Sequence, residues 1–400
     1  MTLPLSSRIR SISASPTLAI DARAKAMIAA GEDVINLTAG EPDYPTPDGA
    51  AQAGIAAIEE HFTRYTPVAG IPALREAIAD KLRSENGLIY SPNQIIVSTG
   101  AKQSLYNVFF SLLDPGDEVI LQTPCWVSYP EQIKLCGGVV KPVAVDEASG
   151  FKMTPEQLAA AITPRTKAVL INSPANPTGA VYTPEEIAGL ADVLVKADVY
   201  VVTDEIYERL TYDVEQISVV KARPELQERA FVVNGFSKTY AMTGWRVGYV
   251  AGPQAAIDVM NNFQSHTTAN ASSISQRAAL GAFGTFSQAI VDEYRARRDL
   301  LLTGLAQLPD VHCTVPQGAF YAFPNFGAWV GRSIRSADGT STRIASVDHL
   351  CELLLVESKV SVVPGSAFFA PDNMRLSYAT SRKDIRTAMD RLTAFAARRI

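Results

Sequence analysis

Between residues 94 and 252 the chain alternates short apolar, β-branched runs with longer stretches of helical period. "QIIVST" (94–99), "EVILQ" (118–122), "VVKPVAV" (139–145), "KAVLIN" (167–172), "VYVVTD" (199–204), "AFVVNG" (230–235) and "RVGYVAG" (246–252) read as strands. Several are apolar without interruption, the pattern of strands covered on both faces of a mostly parallel sheet. Between them, "TPEQLAAAI" and "YTPEEIAGLADVLVKA" carry helix starts: a Thr cap, Pro in the first turn and Glu shortly after. The pattern predicts an α/β fold, with a mostly parallel seven-stranded sheet wound by helices on both sides.

After about residue 253 the period changes. A long helix is predicted over 287–308, strands over 319–326, 361–365 and 373–379, and a closing helix over 381–399. This describes a smaller α+β domain, joined by the N-terminal segment. The expected division is a large domain over 46–290 and a small one built from 1–45 and 291–400. The polar, Gly/Ser/Thr-rich stretch 331–346 is expected to form a mobile surface loop.

Composition narrows the function. A chain of 400 residues can hold two cores. A net charge of -5 argues against a nucleic-acid surface. No apolar run approaches a membrane span, and the first residues lack the core of a signal peptide, so a cytoplasmic protein with small-molecule partners is expected. Cys125, Cys136, Cys313 and Cys351 have no metal spacing and are expected as free buried thiols; His61, His266, His312 and His349 are equally dispersed, so no metal site is expected. The G-x-S-x-G, P-loop and G-x-G-x-x-G patterns are absent, which disfavours serine hydrolases, P-loop NTPases and dinucleotide binders.

Reactive groups collect instead where ligands bind in such folds, beyond the carboxyl ends of the strands. "GAKQS" follows the first strand and opens a helix whose free N–H groups suit an anion. Asn172 and Asn176 flank the turn after the fourth strand; Asp204, Glu205 and Tyr207 close the fifth, and Ser237 and Lys238 follow the sixth. Each alone is ordinary turn chemistry, and Lys238 alone is equally well explained by a stem lying along apolar surface. Together they pair an amine that condenses with an aldehyde and a carboxylate that keeps a ring nitrogen protonated, the requirements of pyridoxal 5'-phosphate. Ser237, Arg246 and the helix start could hold its phosphate.

"NSPANPTG", "TDEIYERL", "GFSKTYAMTGWRVGY" and "NMRLSYA" resemble, in order and spacing, the motifs of class I pyridoxal-phosphate aminotransferases over nearly the whole chain. "LTAGEPDYPTP", "RYTPVAGIPALREAI", "GAKQSLYNVFF", "TPCWVSYPE" and "VVPGSAF" are most similar to the bacterial aspartate aminotransferase subgroup related to prephenate aminotransferases. The resemblance implies that Lys238 condenses with the cofactor and shuttles the substrate Cα proton, that Asp204 binds the pyridine nitrogen, and that Tyr207 and Asn176 hold the ring 3'-oxygen. It places Trp126 on the ring face; Gly100, Ala101, Lys102, Ser237 and Arg246 around the phosphate; and Tyr65 of a second subunit beside them, hence a homodimer with shared active sites. Arg375 would grip the substrate α-carboxylate with Asn176 and the backbone near Gly40, while Lys102 and Thr17 would lie near a distal carboxylate.

The activity so implied is transfer of the amino group of L-aspartate to 2-oxoglutarate in two ping-pong halves. The alternative is the same chemistry with prephenate, aromatic or other 2-oxo acids. A lyase, a decarboxylase or a catalytically silent regulator on the same scaffold are the remaining rivals. Cys125 stands where an aromatic is also familiar, and the N-terminal arm leaves Arg8 and Arg10 both open for the arginine that some members use there.

Overall fold

The computed structural model describes residues 5–14, 16–335 and 339–398. Its centre is a seven-stranded sheet of β1 (Ile95–Ser98), β2 (Glu118–Thr123), β3 (Val139–Ala144), β4 (Thr166–Asn172), β5 (Tyr200–Asp204), β6 (Ala230–Gly235) and β7 (Gly248–Ala251). Their order across the sheet is β1-β7-β6-β5-β4-β2-β3, with β7 antiparallel to both neighbours and the other pairs parallel. All seven runs expected as strands are therefore strands.

Their unbroken apolar character follows from burial on both sides. Ile96, Val119, Leu121, Val202 and Val250 pack against Leu105, Val108 and Phe109 of helix α1 (Ala101–Leu112). The alternate residues Val97, Ile120, Val169 and Val201 face the other way, into a core that includes Leu158 of α2 (Pro155–Ala161) and Ile187, Leu190 and Leu194 of α3 (Pro184–Lys196). Both α2 and α3 start as the Thr-Pro pattern requires. Thr154 Oγ1 accepts from the Gln157 N–H at 3.2 Å, and Thr183 Oγ1 from the Glu186 N–H at 3.2 Å.

The C-terminal region forms a separate apolar core around α4 (Gln288–Leu305), β8 (Tyr321–Ala322), α5 (Val347–Ser358), β9 (Val363–Pro364), β10 (Met374–Ser377) and α6 (Arg382–Ala396). β10 is the middle strand of an antiparallel trio with β9 and β8. The N-terminal segment joins this region: Ile35–Asn36 pairs in parallel with Val360–Ser361, and Ala24 and Val34 pack on Leu355. Ile206, Tyr207, Leu210 and Tyr212, which follow β5, are also part of this core, so one segment of the sheet domain is stitched into the C-terminal packing.

Two expectations need correction. The stretch 331–346 is an antiparallel hairpin, Ser333–Arg335 with Ser341–Arg343, because Ile334 and Ile344 are buried and anchor it; its tip, 336–338, lies outside the described residues. All four cysteines are free, but only Cys125 and Cys351 are buried while Cys136 and Cys313 are partly accessible. Among the described residues no helix is long and apolar enough to cross a membrane, and no cluster of metal-binding side chains occurs.

β7 crosses directly beneath the start of α1. A Cβ at Gly248 would lie 2.8 Å from the Ala101 Cα and closer still to the Ala101 nitrogen, with no flexible side chain to yield. Gly248→Ala should therefore lower stability by about 3 kcal/mol through overpacking. Urea unfolding of the two proteins checks this, and equal midpoints would show that the helix can lift without cost.

Candidate active site

The carboxyl ends of the strands converge on a cavity of ≈ 470 Å³ between the sheet and the C-terminal region. Every residue expected at the site lines it except Gly100 and Tyr65. Gly100 lies immediately behind the wall: with φ at +84° it turns from β1 into α1, and a Cβ there would come within 2.9 Å of the Arg246 Cζ. The absence of a side chain lets the Arg246 guanidinium sit against the helix start, where the first N–H groups of α1 and the helix dipole also favour an anion. Arg246, itself at φ +55°, is steadied by donating from Nη1 to the Thr243 carbonyl at 2.9 Å, and Ser237 lines the same corner.

Asp204 ends β5 and is 3 % exposed. Its Oδ2 accepts from the Tyr129 hydroxyl at 2.7 Å and its Oδ1 from the Ile206 N–H at 3.2 Å. Burial pushes the carboxyl up to about 6, against the pull of those two donors and of Lys238. The strand end is tied to its neighbour by Asn172, whose Nδ2 donates to the Asp204 carbonyl at 2.9 Å and whose Oδ1 accepts from the Asn176 N–H at 3.1 Å. Glu205 is buried but does not line the cavity; it accepts from Thr203 Oγ1 at 2.8 Å.

Lys238, three residues beyond β6, reaches into the cavity and donates from Nζ to the Gly40 carbonyl. Its ammonium stands 5.8 Å from the ring centroids of both Tyr207 and Phe320. Burial draws its pKa down to about 8; Arg375 and Arg246 push the same way, while Glu41 and Asp204 oppose them. This environment supplies a neutral amine far more readily than water does.

Arg375 projects from β10 and is 3 % exposed. Nη1 donates to Asn176 Oδ1 at 3.0 Å and Nη2 to the Thr38 carbonyl at 2.9 Å, and the guanidinium lies 4.4 Å from the Tyr321 ring centroid. Its Nε has no partner, and among the described residues no carboxylate pairs with it. A buried guanidinium left so is costly, so the site is built to receive an anion. Also lining the cavity, the Lys102 ammonium lies 4.8 Å from the Trp126 ring centroid, its pKa lowered by burial and by Arg246. Thr17 and Gly40 also line the cavity.

Tyr65 is 93 % exposed and outside this chain's cavity. Arg10 is exposed and away from the cavity, and the side chain of Arg8 lies outside the described residues. Two lining residues carry roles that the motifs did not point to. Tyr129 holds Asp204 and meets Trp126 edge-on, with centroids 5.2 Å apart. Tyr321 shares a 2.9 Å hydroxyl contact with Tyr207 beneath Arg375. "TPCWVSYPE" and "AFYAFPNF" contain them, but only the fold shows what they face.

A family model described as "Aminotransferase class I and II" matches residues 32–392. The chain belongs to this family. This aminotransferase is 48% identical over 399 residues to an aspartate aminotransferase of Geobacillus stearothermophilus, covering 98% of this chain and 99% of that one. It is 44% identical over 398 residues to an aspartate/prephenate aminotransferase of Cereibacter sphaeroides, covering 98% of each. Its structure matches the crystal structure of an aspartate aminotransferase from Rhizobium meliloti with a TM-score of 0.94 at 42% identity, covering 100% of both chains. It matches the Thermus thermophilus aspartate aminotransferase with maleate at 0.91 and 42% identity, covering 98% of this chain and 100% of that one.

The cofactor of the family is pyridoxal 5'-phosphate, and the aminotransferase has the groups to hold it. The glycine-opened helix start with Arg246 and Ser237 suits a phosphate, the buried Asp204 suits a protonated ring nitrogen, and Lys238 suits an aldehyde. Capture of the aldehyde needs the neutral lysine. Because the Lys238 pKa is lowered to about 8, the neutral fraction rises about tenfold per pH unit below that value and levels above it. The rate of reconstitution of the apoprotein with pyridoxal phosphate should follow this curve in stopped-flow absorbance; a rate still climbing through pH 10 would contradict it.

Proposed function

We propose that the aminotransferase moves the amino group of L-aspartate to 2-oxoglutarate, giving oxaloacetate and L-glutamate in two successive halves. The observation that carries this reading is a pair of cationic heads, Arg375 and Lys102, facing one cavity with no carboxylate paired to either among the described residues. Two carboxylates on one short substrate match two such cations. The names of the relatives, aspartate and aspartate/prephenate aminotransferases, support the same choice. Leu18 and Trp126 add apolar lining, so a 2-oxo acid carrying a ring, prephenate included, is the second reading.

Within this proposal Arg375 takes the α-carboxylate through its unpaired Nε and the Nη edge, which turns the substrate Cα–H toward Lys238. Lys238 accepts the Cα proton on Nζ and later returns it, its lowered pKa matching that task near neutral pH. Asp204 would face the ring nitrogen as an anion, Tyr207 and Asn176 would hold the 3'-oxygen, and Trp126 would lie on the ring face. Bound pyridoxal phosphate supplies an electron sink for the pair left on Cα. Lys102, with Thr17 of the same lining, takes the distal carboxylate.

We further propose a cytoplasmic homodimer in which Tyr65 completes the phosphate site of the partner. A tyrosine so exposed, with Ile55 and Ile58 exposed a few residues earlier in the chain, favours an interface there. Sedimentation velocity at assay concentration should give twice the chain mass, and a fully active monomer would overturn this.

Adding L-aspartate to the loaded protein should abolish its long-wavelength absorption, and 2-oxoglutarate should restore it. A band indifferent to aspartate would move the substrate to the second reading. Lys102→Ala should lower kcat/KM for dicarboxylates about tenfold more than for monocarboxylates, the loss of one charge-assisted contact. Equal losses would remove Lys102 from that role.

A further inference from the structure

Asp204 holds the position on which the chemistry turns, yet burial works against its ionised form. The charged and titratable groups facing it are Tyr129 from the helix Ser128–Leu135, Lys238 beyond β6 and Tyr207 on the turn after β5; Cys125 lies near the Tyr129 phenol. Lys238 contributes the least of the stabilising influences on the carboxylate, and its own hydrogen bond goes to Gly40. Direct support comes from two donors, one per oxygen. The Ile206 N–H is contributed by the backbone whatever the side chains are. The Tyr129 hydroxyl, at 2.7 Å from Oδ2, is the one side-chain hydrogen-bond donor to this carboxylate among the described residues.

We propose that Tyr129 is a positioning residue for Asp204: its hydroxyl holds the carboxylate ionised and fixes its plane, so that the free lone pairs point into the cavity. With one hydrogen bond to each oxygen, rotation about the carboxyl bond would break both. Tyr129 is 1 % exposed, and burial keeps its phenol protonated far above neutral pH, so it remains a donor at every working pH. The same ring meets Trp126 at 82°. One side chain thus sets both the group facing the ring nitrogen and the plane proposed to lie on the ring, a deepening of the function proposed above that rests on it for the cofactor's placement.

Tyr129→Phe separates the two parts, since it keeps the edge contact with Trp126 and removes only the hydroxyl. In the apoprotein, the infrared C=O stretch of protonated Asp204, identified by its loss in Asp204→Asn, reports the carboxyl directly. The midpoint should rise by about one pH unit in Tyr129→Phe, with affinity for pyridoxal phosphate at neutral pH falling about tenfold by equilibrium dialysis. Incorporation of 3-fluorotyrosine at position 129, which preserves shape while strengthening the donor, should move the midpoint the opposite way, and it decides the matter if Tyr129→Phe fails to fold. Midpoints unchanged from the wild type overturn the proposal. A wild-type protein that fails to bind pyridoxal phosphate would overturn the function proposed above, while the infrared titration would still decide the role of Tyr129.

Discussion

A guanidinium withdrawn from water without a counter-ion is the constraint around which this site is arranged. Arg375 is neutralised by no carboxylate among the described residues; it is held by an amide oxygen, a backbone carbonyl and the face of Tyr321. These contacts orient it without cancelling its charge. Lys238 is pushed toward its neutral form partly by this unscreened neighbour, and the Arg246 charge adds to the effect. The cavity is therefore electropositive by construction, and phosphates and carboxylates are the groups that relieve it.

The sheet supplies the rigidity that makes such a field useful. Asp204 and Lys238 stand at or beyond the ends of adjacent parallel strands, and Asn172 laces the end of a third to the Asp204 backbone. Strand ends in one sheet cannot drift relative to each other without losing ladder hydrogen bonds, so catalytic groups placed there keep their spacing when loops around them move. The N-terminal segment then closes the cavity from outside, contributing Thr38 to Arg375 and Gly40 to Lys238.

The sheet was readable because burial on both faces leaves a plain signature, an uninterrupted apolar run ended by a polar residue. The groups at those ends were readable for the same reason, since Asp204 ends one run where the crevice begins and Lys238 follows shortly after the next. The hairpin within 331–346 was not, because its two anchors, Ile334 and Ile344, are single apolar residues among polar ones and produce no alternation to detect. Tyr129 and Tyr321 were missed for a different reason. Tyr129 meets Asp204 across 75 positions of sequence, and Tyr321 meets Tyr207 across 114. Buried tyrosines are common core residues, and nothing local distinguishes one whose hydroxyl meets a catalytic group.

Ile206, Tyr207, Leu210 and Tyr212 directly follow the strand that presents Asp204, yet they pack in the apolar core of the C-terminal region. A core anchored by the residues that directly follow a strand of its neighbour is coupled to that strand, because loosening the core frees the segment that continues it. The two packing centres are thus linked at the strand end that carries Asp204. Loosening of the C-terminal core at Ile206 or Tyr207 therefore acts within three residues of the carboxylate on which the chemistry depends.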